Sequence, residues 1–192
     1  MNLHAPLPDV ATPSILDETM AAARRDEATV TAQGKVVGRL TEGVSFYEIP
    51  THIDERGSVV ELYDPRWGWH PDPLVFAHVC TIRPGYVKGW GLHQGHEDRY
   101  MVLSGEVLIV LYDPRPESST YGEVCKIVLS EYNRRVMNIP RFVWHAQQNI
   151  GTKDSLLLDF PTAPYNHENP DKLRLPPNSP LIPYSFGSAP GW

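Results

Sequence analysis

Residues 93–112 read HQGHEDRYMVLSGEVLIVLY. Two histidines and an aspartate open the stretch. An apolar run follows, interrupted only by Ser104-Gly105-Glu106. Apolar and β-branched runs bounded by polar turn residues read as strands, and 99–112 is expected to be strand. Working outward, further strand-like pieces lie at 45–49, 58–63, 75–83, 123–130, 134–139, 142–149 and 154–160. Turn signals separate them: Glu55-Arg56-Gly57, Arg83-Pro84-Gly85, Asp113-Pro114-Arg115-Pro116 and Asn149-Ile150-Gly151. Many short strands joined by polar turns predict an all-β sandwich or barrel.

Proline positions support this reading. The chain has 19 prolines, yet none falls between Pro84 and Pro114 or between Pro116 and Pro140. Proline breaks helices and central strands alike, so these clear windows can hold the barrel strands. Eight prolines fall in 161–192, a segment without periodicity that is expected to wrap the surface in extended form. At the other end, residues 1–11 read as a loose arm. Thr12-Pro13 followed by SILDETMAAARRD reads as a short helix, with acids early and Arg24-Arg25 near its end. ATVTAQGKVVGRL then suggests a hairpin turning at Gln33-Gly34. The expected organisation is a single domain, with an N-terminal arm, helix and hairpin over 1–44, a barrel over 45–160 and a wrap over 161–192.

Composition narrows the partners. A chain of 192 residues is long enough for one real core. Acidic residues outnumber basic ones, 23 to 17, for a net charge of −6, which argues against nucleic acid or an anionic membrane as partner. Cys80 and Cys125 are too few for a disulfide framework and too far apart for a paired thiol site, so they read as buried thiols. The opening MNLHAPLPDV shows no basic or apolar leader. The longest clean apolar run, Val107 to Tyr112, falls far short of the ~18 residues of a membrane span. A cytoplasmic location is expected.

The histidines carry the chemistry. His93 and His96 precede the long apolar run, and His145 lies in IPRFVWHAQQN. Strands from different hairpins of a barrel can aim such side chains into one cavity. Imidazole titrates near neutrality, so it can take a proton from a carbon next to a carbonyl; it can equally bind a metal. Trp67-Gly68-Trp69 could stack on a sugar ring, although a surface loop or dimer contact is the simpler expectation.

PRFVWHAQQN resembles the second motif of the cupin superfamily, with Phe142 where a glycine normally stands. Asp98 followed by Gly105 resembles the end of the first cupin motif, with Asp for Glu. More closely, the chain resembles the dTDP-4-dehydrorhamnose 3,5-epimerase family. Asp54-Glu55-Arg56-Gly57-Ser58-Val59-Val60-Glu61, Gly91-Leu92-His93, Ser104-Gly105-Glu106-Val107, Asp113-Pro114-Arg115, Ser119-Thr120-Tyr121-Gly122, Leu129-Ser130 with Asn133, and Ile139-Pro140 with His145 follow in the family's order. The resemblance implies a double-stranded β-helix, the cupin jelly roll, with a short N-terminal helix and a proline-rich C-terminal segment. It implies a homodimer with exchanged strands and a nucleotide-sugar substrate. The expected function is an epimerase or ketoisomerase of a dTDP-linked 4-keto-6-deoxy sugar, without cofactor.

The resemblance also assigns residues. His93 matches the catalytic base, and His145 a histidine lining the same cavity. Arg56 matches a residue on the nucleotide diphosphate, where a guanidinium pairs bidentately with phosphate. Glu61 matches a residue on the pyrimidine. Trp90 stands where the family has arginine, and Arg99 can substitute for basic positions occupied here by Asp98 and Met101; both are expected at the substrate, as is His96. The catalytic tyrosine falls near Leu158, which leaves Tyr165 as the substitute acid. The aspartate that orients the base falls in Pro176-Pro177, so the base is expected to lack its partner. Two alternatives stay open. One is a metal-dependent cupin holding divalent Fe, Mn or Ni through His93, Asp98 and His145, although Gly91 replaces the first histidine of the usual H-x-H. The other is a cupin that binds a sugar or nucleotide without chemistry.

Overall fold

The computed structural model describes residues 14–33 and 37–192. The chain divides into two units, residues 1–38 and 39–192. In the first, helix α1 (Ile15–Ala22) starts at a reciprocal cap: the Asp17 amide donates to Ser14 Oγ and the Ser14 amide donates to Asp17 Oδ2, both at 3.2 Å. The helix stops before Arg24-Arg25, because Ala23 is already extended at φ −72° and ψ 145°. The Val37 amide donates to the Thr29 carbonyl at 2.8 Å, linking the arms of the expected hairpin. The arm 1–11, Pro13 and Gly34 lie outside the described residues.

The second unit contains β1 (Ser45–Glu48), β2 (Thr51–Asp54), β3 (Gly57–Val60), β4 (His78–Ile82), β5 (Val87–Leu92), β6 (Asp98–Ser104), β7 (Glu106–Tyr112), β8 (Val124–Ser130), β9 (Arg135–Ile139), β10 (Trp144–Asn149), β11 (Ser155–Asp159) and β12 (Leu173–Leu175). One sheet runs β1-β9-β6-β11-β4, a second runs β12-β5-β10-β7-β8, and β2-β3 form a separate hairpin. The mostly-β jelly roll expected from the sequence is present.

Four strand readings need correction. The run 99–112 is two strands in different sheets, because Gly105 turns the chain at φ 88°. A Cβ there would lie 3.0 Å from Ser155 Cα, so the corner has no room for a side chain. Strand β5 was hidden by its two glycines, and β2 by its polar residues. Within 161–192, expected to be extended but given no strand, β12 joins a sheet: Leu173, Arg174 and Leu175 pair with Leu92, Gly91 and Trp90.

Packing explains the patterning. Ile82, Tyr100, Val102 and Met137 of the first sheet meet Val107, Ile109, Leu111 and Ile127 of the second in the central core. The outer face of the second sheet, with Trp90, Val110 and Ala146, is covered by Ile182 and Phe186 from the proline-rich end. Strand β7 is therefore apolar on both faces and shows no alternation. Strand β8, at the sheet edge, alternates cleanly, with Cys125, Ile127 and Leu129 buried and Lys126 and Val128 exposed.

Candidate active site

The two sheets bring polar side chains together at one end of the central layer. Strand β6 supplies Asp98 and Tyr100, and its neighbour β11 supplies Asp159, whose register partner on β4 is His78. Across from them, β10 supplies His145 and Gln147. The end of β5 supplies His93, and Gly91 on β5 pairs with His145.

Asp98 is the hub, and it is buried. Its Oδ2 accepts from the Tyr100 hydroxyl at 2.9 Å, and Gln147 donates to that hydroxyl at 3.0 Å. The Nε2 atoms of His93 and His145 stand 3.4 and 3.3 Å from the same Oδ2, and His96 Nε2 stands 3.4 Å from Oδ1. The His93 ring lies 4.0 Å from that of His96 and 5.6 Å from that of His145, centroid to centroid. Burial works to raise the Asp98 carboxyl, but His145, His93 and His96 outweigh it and hold it well below the usual carboxylate range. Burial lowers His145 below the ordinary imidazole value. Burial, with the Asp98 charge second, pushes Asp159 well above its ordinary value.

Two backbone contacts set the imidazoles. His93 Nδ1 meets the Asp171 carbonyl at 2.6 Å, and His145 Nδ1 meets the Val143 carbonyl at 3.1 Å. A carbonyl only accepts, so each Nδ1 carries a proton and each Nε2 is turned toward Asp98. A proton arriving at His93 Nε2 would sit beside a carboxylate that stabilises the imidazolium. The Asp171 carboxylate accepts from the Gln94 and Gly95 amides at 3.2 and 2.8 Å, and its Oδ2 lies 3.1 Å from His96 Nδ1. Phe142, at φ 64°, donates its amide to the His93 carbonyl at 2.8 Å. That bond ties the segment bearing His93 to the one bearing His145.

A cavity of about 380 Å³ opens onto this cluster, lined by His78, His93, His96, Asp98, Asp159, Tyr165, Lys172 and Arg174 among others. A second, of about 320 Å³, shares His78, Asp159, Lys172 and Arg174 and extends to Tyr100, Gln147, Lys88 and Trp192. Together they offer a base, acids and cations around a space fit for a small polar ligand.

The structure brings His93, His96, His145 and Asp98 together and places Tyr165, half-exposed, on the same cavity. Other expectations are corrected. Trp90 is fully buried in the outer core, its Nε1 donating to the Pro177 carbonyl at 3.0 Å, because alternation along β5 turns it away from His93. Arg99 is 2% exposed and donates to the carbonyls of Phe160, Asp72, Pro73 and Pro161, so four of its five N–H donors clamp loops and it does not line the His93 cavity. Pro176-Pro177 is not the place of the orienting aspartate. The register of β12 on β5 brings Asp171 to His93. Leu158 packs on the outer face of its sheet, while the adjacent Asp159 faces the cavity.

Arg56 and Glu61 are exposed and do not line the His93 cavity; Arg56 pairs with Asp54 at 2.5 Å beside the β2-β3 turn. Trp67 stacks on Tyr47 with ring centroids 4.5 Å apart, as part of the outer core of the first sheet. Sequence reasoning missed Asp159, Asp171, Lys172, His78, Tyr100 and Gln147 as site residues. The unread register of β12 was the missing signal for Asp171 and Lys172.

Comparison with known proteins agrees with this architecture. The family model described as dTDP-4-dehydrorhamnose 3,5-epimerase matches residues 40–183. A probable low-salt glycan biosynthesis epimerase of Haloferax volcanii is 32% identical over 134 residues, covering 69% of this chain and 86% of that protein. A spore coat polysaccharide biosynthesis protein of Bacillus subtilis is 27% identical over 154 residues, covering 78% of this chain and 98% of its own. A dTDP sugar isomerase structure from Desulfovibrio desulfuricans superposes with a TM-score of 0.72 at 25% identity, covering 79% of this chain and 97% of that one. A 3'-monoepimerase from Streptomyces bikiniensis in complex with dTDP-quinovose shares the fold, with a TM-score of 0.67 at 18% identity over 78% of each chain. The chain therefore belongs to the dTDP-4-dehydrorhamnose 3,5-epimerase family and is an enzyme of the isomerase class.

Proposed function

We propose that this enzyme epimerises or isomerises a dTDP-linked 4-keto-6-deoxy sugar, with His93 as the base. One observation carries the assignment: the Asp171 carbonyl holds His93 in the tautomer whose Nε2 is free to accept a proton, at the wall of the cavity. The C–H bond next to the ketone breaks, the proton passes to Nε2, and the electron pair forms an enolate. Reprotonation of the same carbon from the opposite face gives epimerisation; we assign that proton to the Tyr165 hydroxyl, a reading supported by Tyr165 lining the same cavity as His93. Reprotonation of a neighbouring carbon gives isomerisation. Arg56 and Glu61, displayed on and beside the exposed β2-β3 hairpin, suit a nucleotide site completed in a homodimer. The two free thiols suit the cytoplasm.

The test is deuterium exchange from solvent into dTDP-4-keto-6-deoxyglucose, followed by NMR. Exchange at a carbon next to the ketone, lost by ~10²–10⁴-fold in His93→Ala, is the expected result. No exchange above the His93→Ala level overturns the reading, and tight binding without exchange identifies a binding module instead.

A metal-dependent reading is favoured by one feature: His93, His96 and Asp98 offer ligand atoms within 4.8 Å of one another, with His145 beside them. This nitrogen and carboxylate set would suit divalent Fe, Mn or Ni as a Lewis acid. Stoichiometric metal in protein purified without chelator, lost in His145→Ala, would establish it.

A further inference from the structure

Proton abstraction beside a ketone places negative charge on the carbonyl oxygen, and fixed positive charge near that oxygen is commonly the largest contribution to such catalysis. The positions where a cation was expected cannot provide it. Asp98 is anionic, Met101 is fully buried, and Arg99 is clamped to backbone carbonyls and does not line the His93 cavity. Two other cations line the His93 cavity, Lys172 and Arg174. Arg174 is engaged, its guanidinium carbon 4.1 Å from the centroid of the Trp192 ring. Lys172 makes no ion pair among the described residues and reaches over β5 at Gly91. A Cβ on Gly91 would fall 2.6 Å from Lys172 Cε and 3.2 Å from its Nζ, and 3.2 Å from His145 Nε2. The ammonium and His145 Nε2 thus flank the same point, and only the missing Cβ leaves room for both.

We propose that the Lys172 ammonium is the catalytic cation that stabilises the enolate oxygen, and that Gly91 is required because a side chain there would displace it. The inference rests on the proton abstraction by His93 argued above. Lys172 directly follows Asp171, whose carbonyl holds His93. One dipeptide of the C-terminal segment therefore sets the base and delivers the charge that its product needs. The position occupied by the first histidine in metal-binding cupins here faces a lysine instead.

The experiment compares wild type, Lys172→Met, Lys172→Arg and Gly91→Ala in the exchange assay with dTDP-4-keto-6-deoxyglucose, alongside dTDP binding and thermal melting. Lys172→Met is expected to lower the kcat of exchange ~10²–10³-fold, the loss typical of removing one oxyanion donor, with KM and dTDP affinity changed less than about threefold. Lys172→Arg should retain part of the rate. Gly91→Ala should lose rate, and combining it with Lys172→Met should cost no more than Lys172→Met alone. If Lys172→Met does not fold, Lys172→Gln gives the same comparison. Exchange by wild type that Lys172→Met keeps within threefold overturns the role of Lys172 alone. Absence of exchange by wild type overturns the reading of His93 and this inference with it.

Discussion

Asp98 and Asp113 are both buried carboxylates in the same barrel, and they are built for opposite purposes. Asp113 closes the turn between β7 and β8. It accepts from Arg115 Nε and Nη2 at 2.8 Å each, from Ser118 Oγ at 2.6 Å and from Thr120 Oγ1 at 2.7 Å. Burial would raise it, yet the aligned donors of Arg115, Ser118 and Thr120 hold it far below the ordinary range. Asp98 has one aligned donor, Tyr100, and three imidazoles that stand close without completing its needs: its Oδ1 and His145 Nε2 are buried without a hydrogen-bond partner. Donors that cannot change protonation make a knot. Imidazoles, which can change it, make a site able to take up a proton without rearranging the chain. A satisfied acid marks structure here, and an unsatisfied one among histidines marks chemistry.

That contrast can be broken by mutation. Asp113→Ala strands Arg115 in a half-buried turn, and a loss of about 3–5 kcal/mol is expected, measured by denaturant unfolding, with exchange per folded molecule unchanged. Asp98→Asn should do the reverse, lowering exchange on the order of tenfold, or about 1.4 kcal/mol of barrier, with a smaller stability change. Its pH signature has a definite sign. Asp98 is held below its unfolded value, so its contribution to stability is present above about pH 4 and lost as pH falls toward the folded value; Asp98→Asn removes that acid limb. The smallest effect is sought at Asp159, which is raised rather than lowered. The folded state then holds a proton that the unfolded chain releases above about pH 4, so stability falls as pH rises from there toward the folded value. Asp159→Asn should flatten that limb in a pH series of urea midpoints. An unchanged slope would show that Asp159 does not titrate as its burial demands.

Much of the fold could be read from the chain. The β8 run alternates at period two because one face is solvent, and 134–139 and 154–160 match β9 and β11 to within a residue or two at their ends. The failures have physical causes. A strand buried on both faces gives no period, so the sheet change at Gly105 was invisible within one apolar run. Glycines at 89 and 91 lower strand propensity while leaving space for the C-terminal residue Trp192 and for Lys172. Within the site, His93 and His145 were legible because they sit in recognisable motifs. Asp171 and Lys172 were not, since their place depends on the register of β12 against β5, which three residues in a proline-rich segment do not announce. Trp90 was misjudged because proximity to His93 in sequence means the opposite face in a strand.

The Phe142 amide bonded to the His93 carbonyl has one more consequence. It joins two segments that arrive from different hairpins, so the spacing of the two imidazoles is a main-chain dimension rather than a side-chain one. Either ring can be cut away without releasing the backbone that carried it. An alanine at one position leaves a vacancy of defined shape and placement, with the surviving histidine still on station.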